Sequence, residues 1–530
     1  MGAKRKIVIV GGGTAGWLTA AYLAKALGAG EGGRVDITLL ESPDIGIIGV
    51  GEGAFPTIRN TLRFLGVDEA EFIREAAATF KQGIRFVDWE REGARFFHPF
   101  EAPFFTEEAD IVGHWLALDP ATRPTFAEAV TIQNRVAEAR RAPKRPHEDD
   151  FTGPLSYAYH FDAHKLSAVL ADCARGLGVR HVEGRLTHVE LRSDGAVDHL
   201  VTAAGDTFTA DLFVDCSGFR AEIIGQALQS PFKSARPILF TDRAVTARVP
   251  RAPGEAIESL TVATAHPAGW TWDIGLNGMR GVGCVYSSAH MSDEDAEATL
   301  RAYLGAAGAD VATRTIAFEA GYREKPWIRN CVAVGLSAGF LEPLEATGLV
   351  LIETAVGMIA DLLPMSGPID APARRFNEVM TARYDNIIAF LKLHYCLSKR
   401  PEPFWRDNTD PASIPPRLAD LLEQWRYRPP ARFDFTLDLE SFAFYNYQYI
   451  LYGMNFGAEP APEPEEEARV AERVLARIQK FGDQAAHDLP GHDELIAQIN
   501  RTPQPSGQNS RMAGGPISRT SRLKGAPRRA

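Results

Sequence analysis

The stretch from Lys6 to Trp17 constrains the fold most, because it joins an apolar β-branched strand, a glycine turn and the start of a helix. The strand Lys6-Ile7-Val8-Ile9-Val10 leads directly into a G-x-G-x-x-G turn, and apolar side chains then recur at helical spacing. Glycines at these points permit the turn, a close approach of backbone to a pyrophosphate, and packing of the helix on the sheet. The motif predicts a bound dinucleotide. The cofactor-binding residues predicted in this turn are Gly11, Gly13, Thr14, Ala15 and Gly16.

Three further segments extend this prediction. A second strand over residues 35–40 ends in Glu41, at the distance expected for an acid on a ribose hydroxyl. The run Gly49-Val50-Gly51 also resembles a glycine motif, but Pro56 follows at once, which favours a glycine-rich loop against the cofactor. A buried strand over residues 210–216 then returns the chain to the first sheet. The sequence therefore predicts an α/β, Rossmann-like cofactor domain.

Composition excludes several classes of protein. The 530 residues carry a formal net charge of −11, which argues against non-specific binding to nucleic acid or to an anionic membrane. The apolar runs are short and broken by charges, so neither a membrane span nor a secretory signal is predicted, and we expect a cytoplasmic protein. The five cysteines lack a C-x-x-C pair, and His160 and His164 straddle a predicted helix cap; we expect no metal site and no disulfide framework.

The rest of the chain divides by composition. Short strands with Gly and Pro over about residues 235–330 predict an antiparallel sheet inserted into a first region, 1–365. Residues 366–500 are mostly helical and rich in aromatic side chains, which suits a wall for a flat aromatic substrate. Residues 501–530 are basic and rich in Ser, Gly and Pro, and we expect them to be disordered.

Five polar or aromatic positions stay ambiguous on pattern alone. Lys81 begins a strand, where a solvated lysine is the usual case, and His98 lies in an aromatic loop, where a structural hydrogen bond is more common than catalysis. The indoles of Trp270 and Trp272 share one strand face and fit a sheet core better than a site. Glu345 precedes a helix and serves either the helix dipole or a site; backbone N–H groups near that helix start are suited to an anion.

Several separated motifs, in order along residues 6–457, resemble the flavin-dependent tryptophan halogenase family. They are Gly11 to Trp17, Gly49-Val50-Gly51-Glu52, Thr79-Phe80-Lys81 with Gly83-Ile84-Arg85-Phe86, His98-Pro99-Phe100, Trp270-Thr271-Trp272-Asp273-Ile274, Phe340-Leu341-Glu342-Pro343-Leu344-Glu345 and Thr347-Gly348. The resemblance implies a flavin-monooxygenase-like FAD fold. It also implies FAD that is reduced by a separate flavin reductase, O2, and chloride or bromide, with a small aromatic substrate; a homodimer stays open.

The resemblance also implies site roles. Lys81 would form a haloamine with hypohalous acid or position that acid by a hydrogen bond. Glu345 would orient the electrophile and either accept the ring proton or stabilise the cationic ring intermediate. The remaining implied residues are Thr347 and Gly348 for halide, His98 and Phe100 for substrate, Trp270 and Trp272 as the barrier between substrate and flavin, and Gly51, Val189, Leu336 and Leu349 for the cofactor.

Two positions depart from the family pattern, namely Gly275 in place of proline and Ala346 in place of serine. No acid that would bind an amino acid's ammonium is recognisable over residues 447–455, so free indole or another electron-rich arene is expected rather than tryptophan. Two competing functions stay open. One is an FAD-dependent aromatic hydroxylase, which has no use for a Lys81–Glu345 pair, and the other is a non-catalytic flavin-binding protein.

Overall fold

The structure, a computed structural model, describes residues 4–44, 46, 49, 51–252, 254–436, 439–459 and 464–501. Its cofactor domain is built on a six-stranded sheet, parallel except for a hairpin at one edge. The N-terminal strand lies between the second strand and the strand predicted to return to this sheet. In spatial order the strands are Trp327–Ile328, Cys331–Ala333, Leu212–Asp215, Arg5–Val10, Val35–Glu41 and Arg180–Glu183.

A seven-stranded sheet stands beside this domain and is antiparallel except where two of its strands pair in parallel. It contains the predicted insertion, and it also takes two strands from residues 83–99, which place the segment after Lys81 against the insertion. In spatial order the strands are Thr313–Ala317, Arg243–Pro250, Met279–Tyr286, Gly269–Leu276, Thr261–His266, Gly83–Val87 and Arg95–Pro99.

Three small sheets of three strands complete the β structure. One of them carries Lys81 at the end of its last strand. The sheets are Thr207–Phe208 with Val197–Thr202 and Leu186–Leu191; Phe232–Ser234 with Gly321–Arg323 and Gly339–Phe340; and Glu52–Gly53 with Ala158–Phe161 and Thr79–Lys81.

The helix Thr14–Leu27 packs on the cofactor sheet and contacts Ala163–Gly176 and Thr347–Leu362, whereas Asp293–Leu304 and Phe444–Gly453 pack on strands of the large sheet. The longest helix, Asp370–Cys396, buries aromatic and aliphatic side chains along its second half. The α-helices are Thr14–Leu27, Ile58–Leu65, Glu69–Glu75, Ile111–Ala117, Phe126–Val130, Gln133–Glu138, Ala163–Gly176, Asp293–Leu304, Thr347–Leu362, Asp370–Cys396, Pro403–Thr409, Pro416–Gln424, Phe444–Gly453, Glu465–Asp488 and His492–Arg501.

Two aspartates cap helices through their side chains. The side chain of Asp68 accepts a hydrogen bond from the N–H of Glu71 at 2.7 Å, and Asp162 accepts one from the N–H of His164 at 2.9 Å. Both carboxylates satisfy amides that the first helical turn leaves without an internal partner.

The α/β class with an antiparallel sheet insertion and a helical C-terminal region is confirmed. The described cysteines are unpaired. Within the described ranges, none of the helices combines the length and apolar character of a bilayer span. The predicted basic tail lies, apart from Arg501, outside the described residues.

Candidate active site

A cavity of about 470 Å³ opens at the carboxyl end of the first strand, where the glycine turn leads into the helix Thr14–Leu27. Gly13 is the N-cap of this helix, and no side chain caps the first turn. A Cβ placed on Gly13 would meet no atom within 4 Å, so the backbone here faces open space. Amides at an uncapped helix start attract phosphate. Gly11, Gly13, Thr14 and Ala15 all line this cavity.

Two glycines of the motif are fixed by close packing. Gly11 has φ +116°, and a Cβ there would lie 2.2 Å from the carbonyl oxygen of Cys216. A Cβ on Gly16 would lie 1.8 Å from the carbonyl oxygen of Gly11, so no side chain is possible at that position. Gly16 supports the turn and does not itself line the cavity.

The other predicted cofactor residues separate into two groups. Gly51, Leu336 and Leu349 line the cavity, whereas Glu41 and Val189 do not. The Glu41 carboxylate lies against Gly12 of the turn, where a Cβ would come within 2.0 Å of it, and receives a hydrogen bond from His181 Nε2 at 2.9 Å. In the strand that contains Val189 it is Leu186 that lines the cavity.

Lys81 lies in the same cavity and is 1% exposed. Burial lowers the pKa of its ammonium to about 8, with the negative charge of Glu345 acting in the opposite direction. Among the described residues, Nζ has no hydrogen-bonding side chain or ion-pair partner, and the centre of the Phe100 ring lies 5.5 Å away. The strand-edge lysine therefore has its amine directed into a closed site, where solvation is weak.

Glu345 is also buried, 4% exposed, and lines the cavity. Its φ is +61° and that of Ala346 is +53°, two successive left-handed conformations without glycine. Such backbone is sparsely populated and costs about 1–3 kcal/mol for each residue. These two residues turn the chain sharply into the helix Thr347–Leu362, and the carboxyl lies at the turn.

Two histidines hold one oxygen of this carboxylate. Glu345 Oε1 lies 2.8 Å from His98 Nδ1 and 3.1 Å from His394 Nε2. Burial alone would raise the pKa of Glu345, but the charge on His98 and the hydrogen bonds from both rings outweigh it and hold this pKa well below its usual range. The carboxylate is therefore ionised, and no described side chain is bonded to Oε2.

Of the predicted substrate residues, His98 contacts the Glu345 side chain, and neither His98 nor Phe100 is among the residues that line the cavity. The far nitrogen of its ring, Nε2, lies 2.9 Å from Asn446 Oδ1, on the helix Phe444–Gly453. Phe100 lies next to Lys81. Sequence reasoning missed His394 as a site residue, because it lies in a helical aromatic run without a motif; its Nδ1 lies 2.9 Å from the carbonyl oxygen of Phe390, one turn earlier.

The start of the helix Thr347–Leu362 faces the cavity as well. Its N-cap, Ala346, supplies no side-chain hydrogen bond, and Thr347 and Gly348 both line the cavity. A Cβ on Gly348 would meet nothing within 4 Å. Free amides at an uncapped helix start are suited to a small anion without any basic side chain.

Trp270 and Trp272 line the wall formed by the strand Gly269–Leu276, and their ring centres lie 6.2 Å apart. At the end of this strand the carbonyl of Gly275 accepts a hydrogen bond from Thr79 Oγ1 at 2.6 Å. The position at which the chain departs from the family's proline thus contacts the strand that carries Lys81.

The sequence matches the family model described as tryptophan halogenase over residues 6–468. The chain belongs to the tryptophan halogenase family. The tryptophan 6-halogenase of Streptomyces toxytricini is 36% identical over 519 residues, which covers 94% of this chain and 98% of that protein. The crystal structure of a tryptophan halogenase from Shewanella frigidimarina superposes with a TM-score of 0.89 at 38% identity, covering 94% of this chain and 98% of that one. A flavin-dependent halogenase from Brevundimonas superposes at 0.84, with 32% identity and coverage of 94% and 99%.

This halogenase therefore has the FAD-binding fold of its family and uses reduced FAD, O2 and halide. The cavity fits a flavin dinucleotide on its own geometry, because Gly13 offers bare backbone at a helix start and Arg185 and Arg220 stand at the lining. The hydroxylase alternative is not favoured.

Proposed function

We propose that this halogenase acts on free indole or a similar electron-rich arene that lacks an amino acid group. Related proteins are named for tryptophan. In this chain the helix Phe444–Gly453, which lies beside His98, carries no acid that would pair with a substrate ammonium. Glu101 accepts a hydrogen bond from the N–H of Ser156 and is not among the residues that line the cavity.

One observation carries the assignment of catalytic residues: Lys81 and Glu345, each nearly inaccessible to water, line the cavity that also contains the glycine turn. Two opposite charges buried without a mutual hydrogen bond are costly to keep for stability alone. An arene bound between them explains both. We infer that Lys81 and Glu345 are the catalytic pair.

The cofactor supplies the oxidation: reduced FAD with O2 converts halide to hypohalous acid. The amides of Thr347 and Gly348 hold the halide, since the helix start favours negative charge. Lys81 then receives the hypohalous acid, either as a haloamine or through a hydrogen bond. A pKa of about 8 suits both roles, because amine and ammonium are each populated near neutral pH.

Glu345 acts on the arene. Halogenation places positive charge on the ring, and an ionised carboxylate stabilises that charge and accepts the proton that leaves. Because both histidines are bonded to Oε1, Oε2 is the oxygen available for this step. Phe100 beside Lys81 and His98 beside Glu345 support the arene site from behind its lining, and Trp270 and Trp272, which line the cavity, separate the arene from the flavin. A separate flavin reductase supplies the reduced FAD.

Competition between substrates tests the proposal. Equal concentrations of indole and tryptophan are offered with reduced FAD regenerated by an unrelated reductase, O2 and bromide, and the products are resolved by mass spectrometry. We expect haloindole in clear excess. Equal turnover of both substrates would contradict the assignment of a free arene, and hydroxyindole in place of haloindole would contradict halogenation.

A further inference from the structure

A second buried carboxyl lies three residues before Glu345. Glu342 is 1% exposed and lines the same cavity, in the loop that continues to the proposed halide amides of Thr347 and Gly348. The mechanism above gives it no role. A buried acid among the residues that line a reaction site, five residues along the chain from a halide position, is suited to proton transfer.

The surroundings of Glu342 differ from those of Glu345. Its hydrogen-bond donors are hydroxyls: Tyr395 OH lies 3.0 Å from Oε1 and 2.9 Å from Oε2, and Thr241 Oγ1 donates to Oε2 at 2.5 Å. Among the described residues, no Lys, Arg or His side chain lies within ion-pair distance of this carboxyl. A carboxyl buried without a cation favours its neutral, protonated form.

The charged groups that face Glu342 support this state. Lys392, on the same helix as Tyr395, is the basic side chain whose charge acts on it, but Lys392 Nζ donates to Asn408 Oδ1 at 2.8 Å instead. Burial raises the pKa of Glu342 to about 7, and hydrogen bonds from Thr241 and Tyr395 and the charge of Lys392 oppose the rise. Glu345 in the same loop is anionic, and the sheet side presents the neutral Trp270.

The reaction requires such a proton. In FADH2 + O2 + X⁻ + H⁺ → FAD + H2O + HOX, FADH2 and halide each lose two electrons, the O–O bond breaks, an O–X bond forms, and the proton ends in water. In the second step, HOX + ArH → ArX + H2O, the ring proton leaves toward Glu345. One proton is thus consumed per turnover, in the step that uses halide.

We propose that Glu342 is the acid that delivers the proton consumed when halide is oxidised to hypohalous acid. The inference rests on the halogenase activity and adds a residue to it. The loop Glu342–Glu345 then holds an acid and a base three residues apart, one for each half of the reaction. Environments that drive two carboxyls to opposite protonation states are a usual sign of divided acid and base roles.

Glu52 is the competing acid. It lines the same cavity, and burial together with the charge of Asp162 raises its pKa to about 7. We favour Glu342 because it shares a loop with the halide amides. Glu353 is a matched control: burial raises its pKa to about 7 and it accepts hydrogen bonds from Thr57 and Thr61, yet it does not line the cavity.

The test uses the full chain loaded with FAD, as wild type and as Glu342→Gln, Glu52→Gln and Glu353→Gln. Infrared difference spectra over a pH series that crosses about pH 7 report protonated carboxyls and their response to bromide. In parallel, hypobromous acid formed from bromide, O2 and reduced FAD is trapped with monochlorodimedone at each pH. Should Glu342→Gln fail to fold, Glu342→Leu, which also removes the carboxyl, replaces it; Glu342→Asp, which retains a carboxyl, is the rescue variant.

We expect a carboxylic acid band that shifts with bromide in the wild type and is lost in Glu342→Gln. That variant should form hypobromous acid about 100-fold more slowly, without the decline that the wild type shows above about pH 7. Glu342→Asp should retain the decline, and Glu353→Gln should match the wild type.

A bromide-sensitive band retained in Glu342→Gln, or a pH decline lost only in Glu52→Gln, would overturn the proposal. Absence of hypobromous acid from every protein would instead count against the halogenase activity, and the infrared result would still decide the state of Glu342.

Discussion

The cavity has two sides that are built in different ways. The flavin side consists of backbone from consecutive residues, the turn Gly11–Gly16, and its shape depends on the absence of side chains. The halogenation side consists of two buried side chains from distant segments, Lys81 and Glu345. His98 and His394 hold the Glu345 carboxylate from outside the lining. The first side needs room for a ligand, whereas the second needs charges held in place. Substitutions should therefore separate cofactor binding from halogenation.

The largest effect is expected from Glu345→Gln. The amide cannot accept the ring proton, and it replaces the anion that stabilises the cationic ring, so the rate of arene halogenation should fall about 1,000-fold. FAD affinity, measured by flavin fluorescence, should stay unchanged. A variant that lost FAD and halogenation in the same proportion would show that the two sides are not separate.

The reverse effect is expected from Gly13→Val. The φ of Gly13, −78°, is ordinary for valine, and the Cβ would meet no protein atom, so folding is preserved. The side chain would instead occupy the space for the cofactor, and FAD affinity should fall about 100-fold. Saturating FAD should then restore halogenation. Gly176→Val, at an open position on a helix surface, is the control. Gly32→Val is not suitable, because the φ of Gly32, +73°, would strain a valine.

Lys81→Met should stabilise the protein at neutral pH. The pKa of Lys81 falls from 10.5 to about 8 on folding, so between these values the unfolded chain holds a proton that the folded chain has lost. The free energy of unfolding of the wild type therefore rises with pH over this window, and below it the buried ammonium costs about 2–3 kcal/mol. Urea unfolding at pH 7 and above pH 10 measures the difference between the proteins, which should shrink as the pH rises. A constant difference would contradict the lowered pKa.

A smaller effect is expected from His394→Phe. Removal of this ring takes one hydrogen bond and one source of positive charge from Glu345, whose pKa then rises toward its ordinary value. As the pH falls, the variant should lose activity at a higher pH than the wild type does, because its carboxylate is protonated earlier. At the acid end of the pH–rate profile its rate should be about tenfold below that of the wild type. His290→Gln, which removes a histidine bonded to Asp407 outside the cavity, is the matched control. A pH–rate profile whose acid side is the same as in the wild type would mean that His394 contributes only to packing.

The two sides also differ in how far the sequence predicted them. The turn from Gly11 to Gly16 could be predicted because its residues are adjacent in the chain and the need for glycine at each position follows from the local backbone. Lys81 and Glu345 were ambiguous on pattern alone, since the cavity that gives them meaning joins segments 264 residues apart. Their roles were predicted through the family's motifs.

Long-range contacts account for what was not predicted. His98 is 247 residues from the carboxylate it contacts, and His394 is 49 residues away on a helix whose aromatic pattern indicates only a core. The ribose contact of Glu41 stays a prediction; its carboxylate packs against Gly12 of the glycine turn, and its hydrogen bond to His181, on a strand 140 residues later, was not predicted. Such contacts arise from tertiary packing, which a local pattern does not contain.

Mass spectrometry of the products from indole tests the central claim most directly. Wild type and Lys81→Met are each supplied with reduced FAD, O2 and bromide, with monochlorodimedone in a parallel reaction to trap hypobromous acid. We predict haloindole from the wild type alone, while both proteins bind FAD and both form trappable hypobromous acid. Haloindole produced by Lys81→Met at the wild-type rate would contradict the account, because the arene would then be halogenated without the lysine that the cavity places beside Glu345.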